Sequence, residues 1–349
     1  MAPGAIAPMH PPLRFDRRAL LGASAAVAFG AATAQGQTQM TLNDRLSGDL
    51  APVHDPCIIR QGTTFYVFCT TGSSEREPGG FIACRTSHDL ITWTRTGYVF
   101  DAIPAWALAK IPNAKGVWAP DISFYNGRYH LYYAVSTFGS NHSVIGLATN
   151  ATLDQSSPDF AWRDEGLVLE SQQHDRFNAI DPNLVLDQNG GAWLVWGSFW
   201  SGIKGAKVDV ATGKLDERDH EIHNLAARPD PVDAIEAPYV IQHNGFYYLF
   251  CSYDFCCRGV NSTYFVACGR SQNVMGPYEG VNGQMMRGGA SVVIQANDRF
   301  KGPGHCAVLH ESDRDFLVYH AYDAQNGGRP TLRISQIYWT PDGWPRAML

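Results

Sequence analysis

Five times along the chain a polar residue opens an apolar run, a tight turn follows, and an aromatic-rich run returns. The segments are HDPCIIRQGTTFYVFCT (54–70), APDISFYNGRYHLYYAVS (119–136), IDPNLVLDQNGGAWLVWGS (180–198), EAPYVIQHNGFYYLFCS (236–252) and GHCAVLHESDRDFLVYHAY (304–322). Four of the five turns carry the glycine that tight hairpins need. A third strand pattern follows most of them, GFIACRTSHDLITW and TYFVACGRSQNVMGPY among them, and a fourth such as TGYVF or EGLVLE follows some. The leading polar residues are Asp55, Asp121, Asp181, Glu236 and His305, at intervals of 66, 60, 55 and 69. A repeat of that length, built wholly of strands, predicts an all-β five-bladed β-propeller with four-stranded antiparallel blades around a central channel. A β-sandwich is the alternative, and so regular a unit over this length disfavours it. One short helical turn is expected over 105–109.

Residues 1–34 stand apart. Arg14, Arg17 and Arg18 precede an uncharged run from Ala19 to Ala31 that ends in Ala32-Thr33-Ala34, the pattern of a signal peptide. The Arg17-Arg18 pair points to twin-arginine export. The run is too short to cross a bilayer, which takes about 20 residues. The expectation is a secreted or periplasmic chain of one catalytic domain, 35–349, with no membrane association after the signal is removed. Without residues 1–34 the chain holds 24 Lys and Arg against 32 Asp and Glu. That balance lacks the basic footprint of a nucleic-acid binder and suits a neutral or sugar substrate. A monomer is expected. Six of the eight cysteines sit singly in apolar runs as small hydrophobes, while the neighbours Cys256 and Cys257 form either a bridge between themselves or two thiols.

In a propeller the first strand of each blade lines the channel, so the five leading residues should converge. Like charges gathered in a narrow channel push one another's pKa values upward, a cost that suggests function. Two functions use such a ring: a metal site tying blades together, and glycosidic hydrolysis by an acid and a base. Trp118, Phe138, Trp196, Phe199 and Trp200 lie close to these positions and offer the flat apolar faces on which sugar rings stack.

The stretches HDPCII, GVWAPDISFYNGRYHLYYAVSTFGS, FNAIDPNLVLDQNGGAWLVWGSFWSGI, IEAPYVI, YDFCCRGVNSTYFVACGRS and GPGHCAVL resemble, in order, the propeller glycosidases of glycoside hydrolase family 43. Within that family they are most similar to the endo-1,5-α-L-arabinanases. The resemblance implies cleavage of internal α-1,5 bonds in arabinan and arabino-oligosaccharides, with inversion and no organic cofactor. It makes Asp55 the general base, Glu236 the general acid, and Asp181 the group that positions Glu236 and raises its pKa. Trp118 and Phe138 match sugar-stacking positions, and Asn183 and Ser198 match sugar hydrogen-bonding positions.

An inverting site leaves room for water between its carboxyl groups, roughly 6.5–9.5 Å. The resemblance also implies a channel cation, usually calcium, near His305, although calcium prefers oxygen ligands; a histidine bonded to a carboxylate is the other reading of that residue. Cys57 departs from the family, where many relatives carry serine. Rival functions are an exo-arabinanase, an arabinofuranosidase or xylosidase of the same family, a retaining fructan-active propeller, and a carbohydrate-binding propeller without catalysis.

Overall fold

The computed structural model describes residues 40–71 and 79–349. The signal peptide expected over 1–34 lies outside them. Met40–Leu349 forms one compact unit of five sheets, each a contiguous stretch of chain. Blade 1 runs His54–Gln61, Thr64–Thr70, Phe81–Ser87 and Thr92–Phe100, with Ser47–Gly48 added in parallel at its outer edge. Blade 2 runs Trp118–Tyr125, Arg128–Val135, Ser143–Asn150 and Arg163–Ser171. Blade 3 has Asn183–Leu186, Ala192–Trp196 and Ile203–Asp209. Blade 4 has Ile235–His243, Phe246–Tyr253 and Phe265–Ser271. In these two the outermost place is shared by two short strands pairing with the same third strand. Blade 5 runs Phe300–Glu311, Arg314–Asp323, Arg329–Trp339 and Pro345–Arg346. The expected helical turn is a helix at Ala105–Lys110.

The hairpins form where the turn chemistry allows. Asn126-Gly127 and Asn244-Gly245 have positive φ at both residues, the geometry whose twist matches two strands joined by two residues. Apolar side chains of neighbouring blades then pack face to face, as where Leu184, Leu194 and Trp196 of blade 3 meet Tyr132, Ile145 and Leu147 of blade 2.

The inner strands share a feature that composition does not reveal. In blade 1 the ladder pairs His54 with Thr70 and next Cys57 with Phe68, leaving Asp55-Pro56 bulged out. The same extra residue appears at Ala119-Pro120, Ala237-Pro238 and His305-Cys306. In blade 3 the Gly197 N–H bonds the Ile180 carbonyl before Asn183 pairs with Val195, isolating Asp181-Pro182. The first bulge residue has left-handed backbone throughout: φ is 51° at Asp55, 45° at Ala119, 56° at Asp181, 54° at Ala237 and 48° at His305. A bulge re-aims a side chain, and proline in second place forfeits no ladder hydrogen bond because it has no N–H. Left-handed alanine costs roughly 1–2 kcal/mol, so the repeated conformation is imposed by the blade.

This corrects the expected equivalence of the five leading residues. Asp55, Asp181 and His305 do share one place, but its occupants in blades 2 and 4 are Ala119 and Ala237. Glu236 sits one residue earlier and Asp121 two residues later, because an inserted bulge residue shifts any alignment made by chemical type.

The place two residues after the bulge start stitches blade to blade. Cys57 accepts the backbone N–H of Ile122, and Asp121 accepts that of Leu184 at 2.7 Å. Asn183 accepts that of Val240 at 2.8 Å, and the Tyr239 hydroxyl donates to the Val308 carbonyl at 3.4 Å. Cys57 therefore does the work an acceptor serine could do. At the fifth junction the equivalent residue is Ala307, which has nothing to bond with. There the N-terminal segment closes the ring: Leu332 N–H bonds Leu50 O, Val53 N–H bonds Pro330 O, and buried Asn43 bonds Ile334 N–H and Ser335 Oγ.

Candidate active site

Asp55, on its bulge, is crowded by donors. Its Oδ1 lies 2.9 Å from His54 Nδ1 and 3.1 Å from His305 Nδ1. Its Oδ2 accepts the Thr70 hydroxyl at 2.7 Å, and Thr70 in turn accepts the Ala119 N–H of blade 2. Its own N–H donates to His320 Nδ1 at 3.1 Å. Burial alone would raise the Asp55 pKa, but the attraction of His54 and His305 and their hydrogen bonds hold it well below the usual carboxylate range. This acid is ionised. The converse holds for His305: burial opposes its charge, yet Asp55 above all holds its imidazole up to about 9. Its backbone N–H is fixed by Ser252 Oγ at 2.8 Å.

Glu236 precedes its bulge and is buried. One carboxyl oxygen accepts the Tyr264 hydroxyl and the other the Ser198 hydroxyl, each at 2.6 Å, which fixes the plane of the group. Asp181 accepts the N–H of Ala237, next in the chain to Glu236, at 3.1 Å. Burial first, and then the charges of Glu236 and Asp55, push Asp181 up to about 8 against the pull of His305 and the Ala237 N–H. Asp181 therefore keeps its proton at neutral pH.

The remaining expected residues divide. Trp118 is half-buried at the channel end of its strand, in the place that His54 and Glu236 hold in their blades. Phe138, in the loop after the second strand of blade 2, is 85% exposed. Asn183 is only 2% exposed; its amide donates to Asp121 and accepts from Val240, so it joins blades where sugar contact was expected. Ser198 is buried and serves Glu236. Asp121, counted among the channel acids, lies beneath them, raised to about 6 chiefly by burial.

Sequence reasoning missed Thr70, His320, Tyr264 and Tyr322. A signal existed for the first two: the quoted second strands of blades 1, 4 and 5 each carry a polar residue, Thr70, Ser252 or His320, opposite the residue that precedes the bulge.

Asp55 and Asp181 thus carry opposite protonation states although their charges act on each other. The glycosyl hydrolases family 43 model matches residues 51–345. The chain belongs to glycosyl hydrolase family 43. It is 42% identical over 84% of its length to extracellular endo-α-(1→5)-L-arabinanase 1 of Bacillus subtilis (strain 168), of which it covers 87%. It is 39% identical to the extracellular exo-α-(1→5)-L-arabinofuranosidase ArbA of Cellvibrio japonicus, with 84% of this chain and 86% of that one covered. Among solved structures, the family 43 endo-arabinanase of Bacillus licheniformis superposes with a TM-score of 0.78 at 45% identity, over 86% of this chain and 99% of that one.

Proposed function

We propose that this enzyme hydrolyses internal α-1,5-L-arabinofuranosidic bonds of arabinan with inversion. The observation that carries the reading is the split between Asp55, held ionised, and Asp181, pushed up to about 8 beside the doubly hydrogen-bonded Glu236. Asp55 draws a proton from water as that water attacks the anomeric carbon. Glu236 delivers a proton to the departing glycosidic oxygen, and Asp181, bonded to the N–H of the next residue, holds it in position. Trp118 and the exposed Phe138 offer the stacking faces. Export belongs to the same reading, since the Bacillus and Cellvibrio relatives are both named extracellular.

A channel cation at His305 is part of the proposal. The donors there are one imidazole, engaged by Asp55 through Nδ1, and carboxylates that hydrolysis needs. That set fits an ion held at Nε2 and otherwise by water, calcium among the candidates, and not one caged by protein oxygens. Such an ion would take the place of the imidazolium proton and supply the same sign of charge to the channel.

Incubation of the mature protein with linear 1,5-α-L-arabinan, following product sizes, tests the reading. Mixed oligosaccharides early in the reaction are expected. A single short product would make the enzyme exo-acting, and binding without products would make it a carbohydrate-binding propeller.

A further inference from the structure

One loop of blade 4, residues 254–264 between its second and third strands, touches both sides of the site. Its far end is Tyr264, whose hydroxyl holds Oε1 of Glu236. Near its start, the Cys257 N–H donates to the Tyr322 hydroxyl at 2.8 Å. That hydroxyl lies 2.7 Å from His54 Nε2, and His54 Nδ1 lies 2.9 Å from Asp55. The Tyr322 oxygen therefore takes the Cys257 N–H and meets His54 Nε2 at once, so the loop backbone fixes the hydroxyl against which the imidazole rests. Because Asp55 is ionised, the His54 nitrogen facing it, Nδ1, carries a proton and donates. The His54 ring has little freedom to turn, stacked on His320 at 3.9 Å and set edge-on to Tyr322 at 5.7 Å.

The loop is itself tied down. Cys256 and Cys257 are joined by a disulfide, and a bridge between chain neighbours closes a small ring that removes the freedom of the peptide carrying the Cys257 N–H. Cys257 has left-handed backbone, φ 65°. Asp254 N–H bonds Ala234 O, the N–H groups of Thr263 and Tyr264 both bond Phe255 O, and Arg258 N–H bonds Ser262 Oγ.

We propose that the bridged loop 254–264 is a common strut for acid and base, with Tyr264 positioning Glu236 on one arm and Tyr322 and His54 positioning Asp55 on the other. The proposal rests on the assignment of Asp55 as base and Glu236 as acid, and extends it to residues that touch neither substrate nor reacting atoms.

Each arm has its own kinetic signature. A nitrophenyl arabino-oligosaccharide has a leaving group that departs without an acid, so it reports the base arm alone. Tyr322→Phe should lower kcat on arabinan and on the activated substrate together, by about 10- to 100-fold, the scale of a small misplacement, with KM little changed. Tyr264→Phe should lower kcat on arabinan by a similar factor and spare the activated substrate. His54→Asn, which keeps an amide donor near the place of Nδ1, should recover at least half of the activity lost in His54→Ala, a rescue that a merely structural histidine would not give. Cys256→Ser/Cys257→Ser should lose activity on both substrates. Wild-type kcat in Tyr322→Phe, or equal effects of Tyr264→Phe on the two substrates, would overturn the strut. If Asp55→Asn were itself fully active, the functional reading would fail first; an inactive Asp55→Asn beside a fully active Tyr322→Phe would sink the strut alone.

Discussion

Asp55 and Asp181 occupy the same place in blades 1 and 3. Each precedes a proline and adopts left-handed backbone, at φ 51° and 56°. Their charges are nevertheless opposed: one is held well below the ordinary carboxylate range and the other is pushed to about 8. The blade gives both side chains the same launching geometry. What differs is the neighbours, since Asp55 is bonded by two imidazoles and a threonine hydroxyl, whereas buried Asp181 accepts one backbone N–H and feels two other carboxyl groups, with only the more distant pull of His305 against them. Strand position thus sets where an acid points, and the adjacent blades decide whether it is a base or a reservoir for a proton.

Removing the ionised member should have the largest effect. Asp55→Ala is expected to lower kcat on arabinan by about 10³–10⁴, near the top of what positioned proton transfer supplies, with an unchanged circular dichroism spectrum. Asp181→Asn should lower kcat less, by about 10–100-fold, and should move the alkaline limb of the pH–rate profile to lower pH, because one carboxyl then holds a proton that two had held.

The same substitution sharpens the contrast in stability. Asp181 has a folded-state value above its unfolded one, so the stability it contributes is fully present below about pH 4 and is lost as pH rises to about 8. Asp181→Asn should therefore raise the unfolding midpoint at pH 8 and leave it unchanged at pH 4. Equal shifts at both would mean the carboxyl is not strained.

Smaller effects separate the sugar-facing residues from the stitching ones. Asn183→Ala leaves the Val240 N–H without its buried partner, at a cost of about 1–3 kcal/mol, so Tm should fall while KM holds. Phe138→Ala should do the reverse, raising KM a few-fold, as loss of a stacking contact worth about 0.5–1.5 kcal/mol would, with Tm unchanged.

The architecture was legible because hairpin turns such as Asn126-Gly127 and Asn244-Gly245 announce themselves locally, and because the repeat is long and regular. The three acids were legible as polar residues at strand starts. Their register was not, since a bulge adds a residue without a signature of its own, and this is why Asp121 was counted with the channel acids. The blade-to-blade bonds of Asn183 and Ser198 were hidden for a related reason: each bonds a group of blade 4, far along the chain, and nothing near either residue marks that partner. Tyr264 and Tyr322 carry no mark in the sequence; the loop and blade 5 bring them to Glu236 and His54. Ring closure was hidden because it depends on an absence, Ala307 where the other blades have a side chain able to bond across.

The most direct test of the split between the two sides compares Asp55→Asn and Glu236→Gln on arabinan and on a nitrophenyl arabino-oligosaccharide. Glu236→Gln should lose arabinan hydrolysis yet cleave the activated substrate at close to the wild-type rate, because a nitrophenolate leaves unaided, while Asp55→Asn should fail on both. Failure of both variants on both substrates, or survival of Asp55→Asn on the activated one, would contradict the assignment of base and acid.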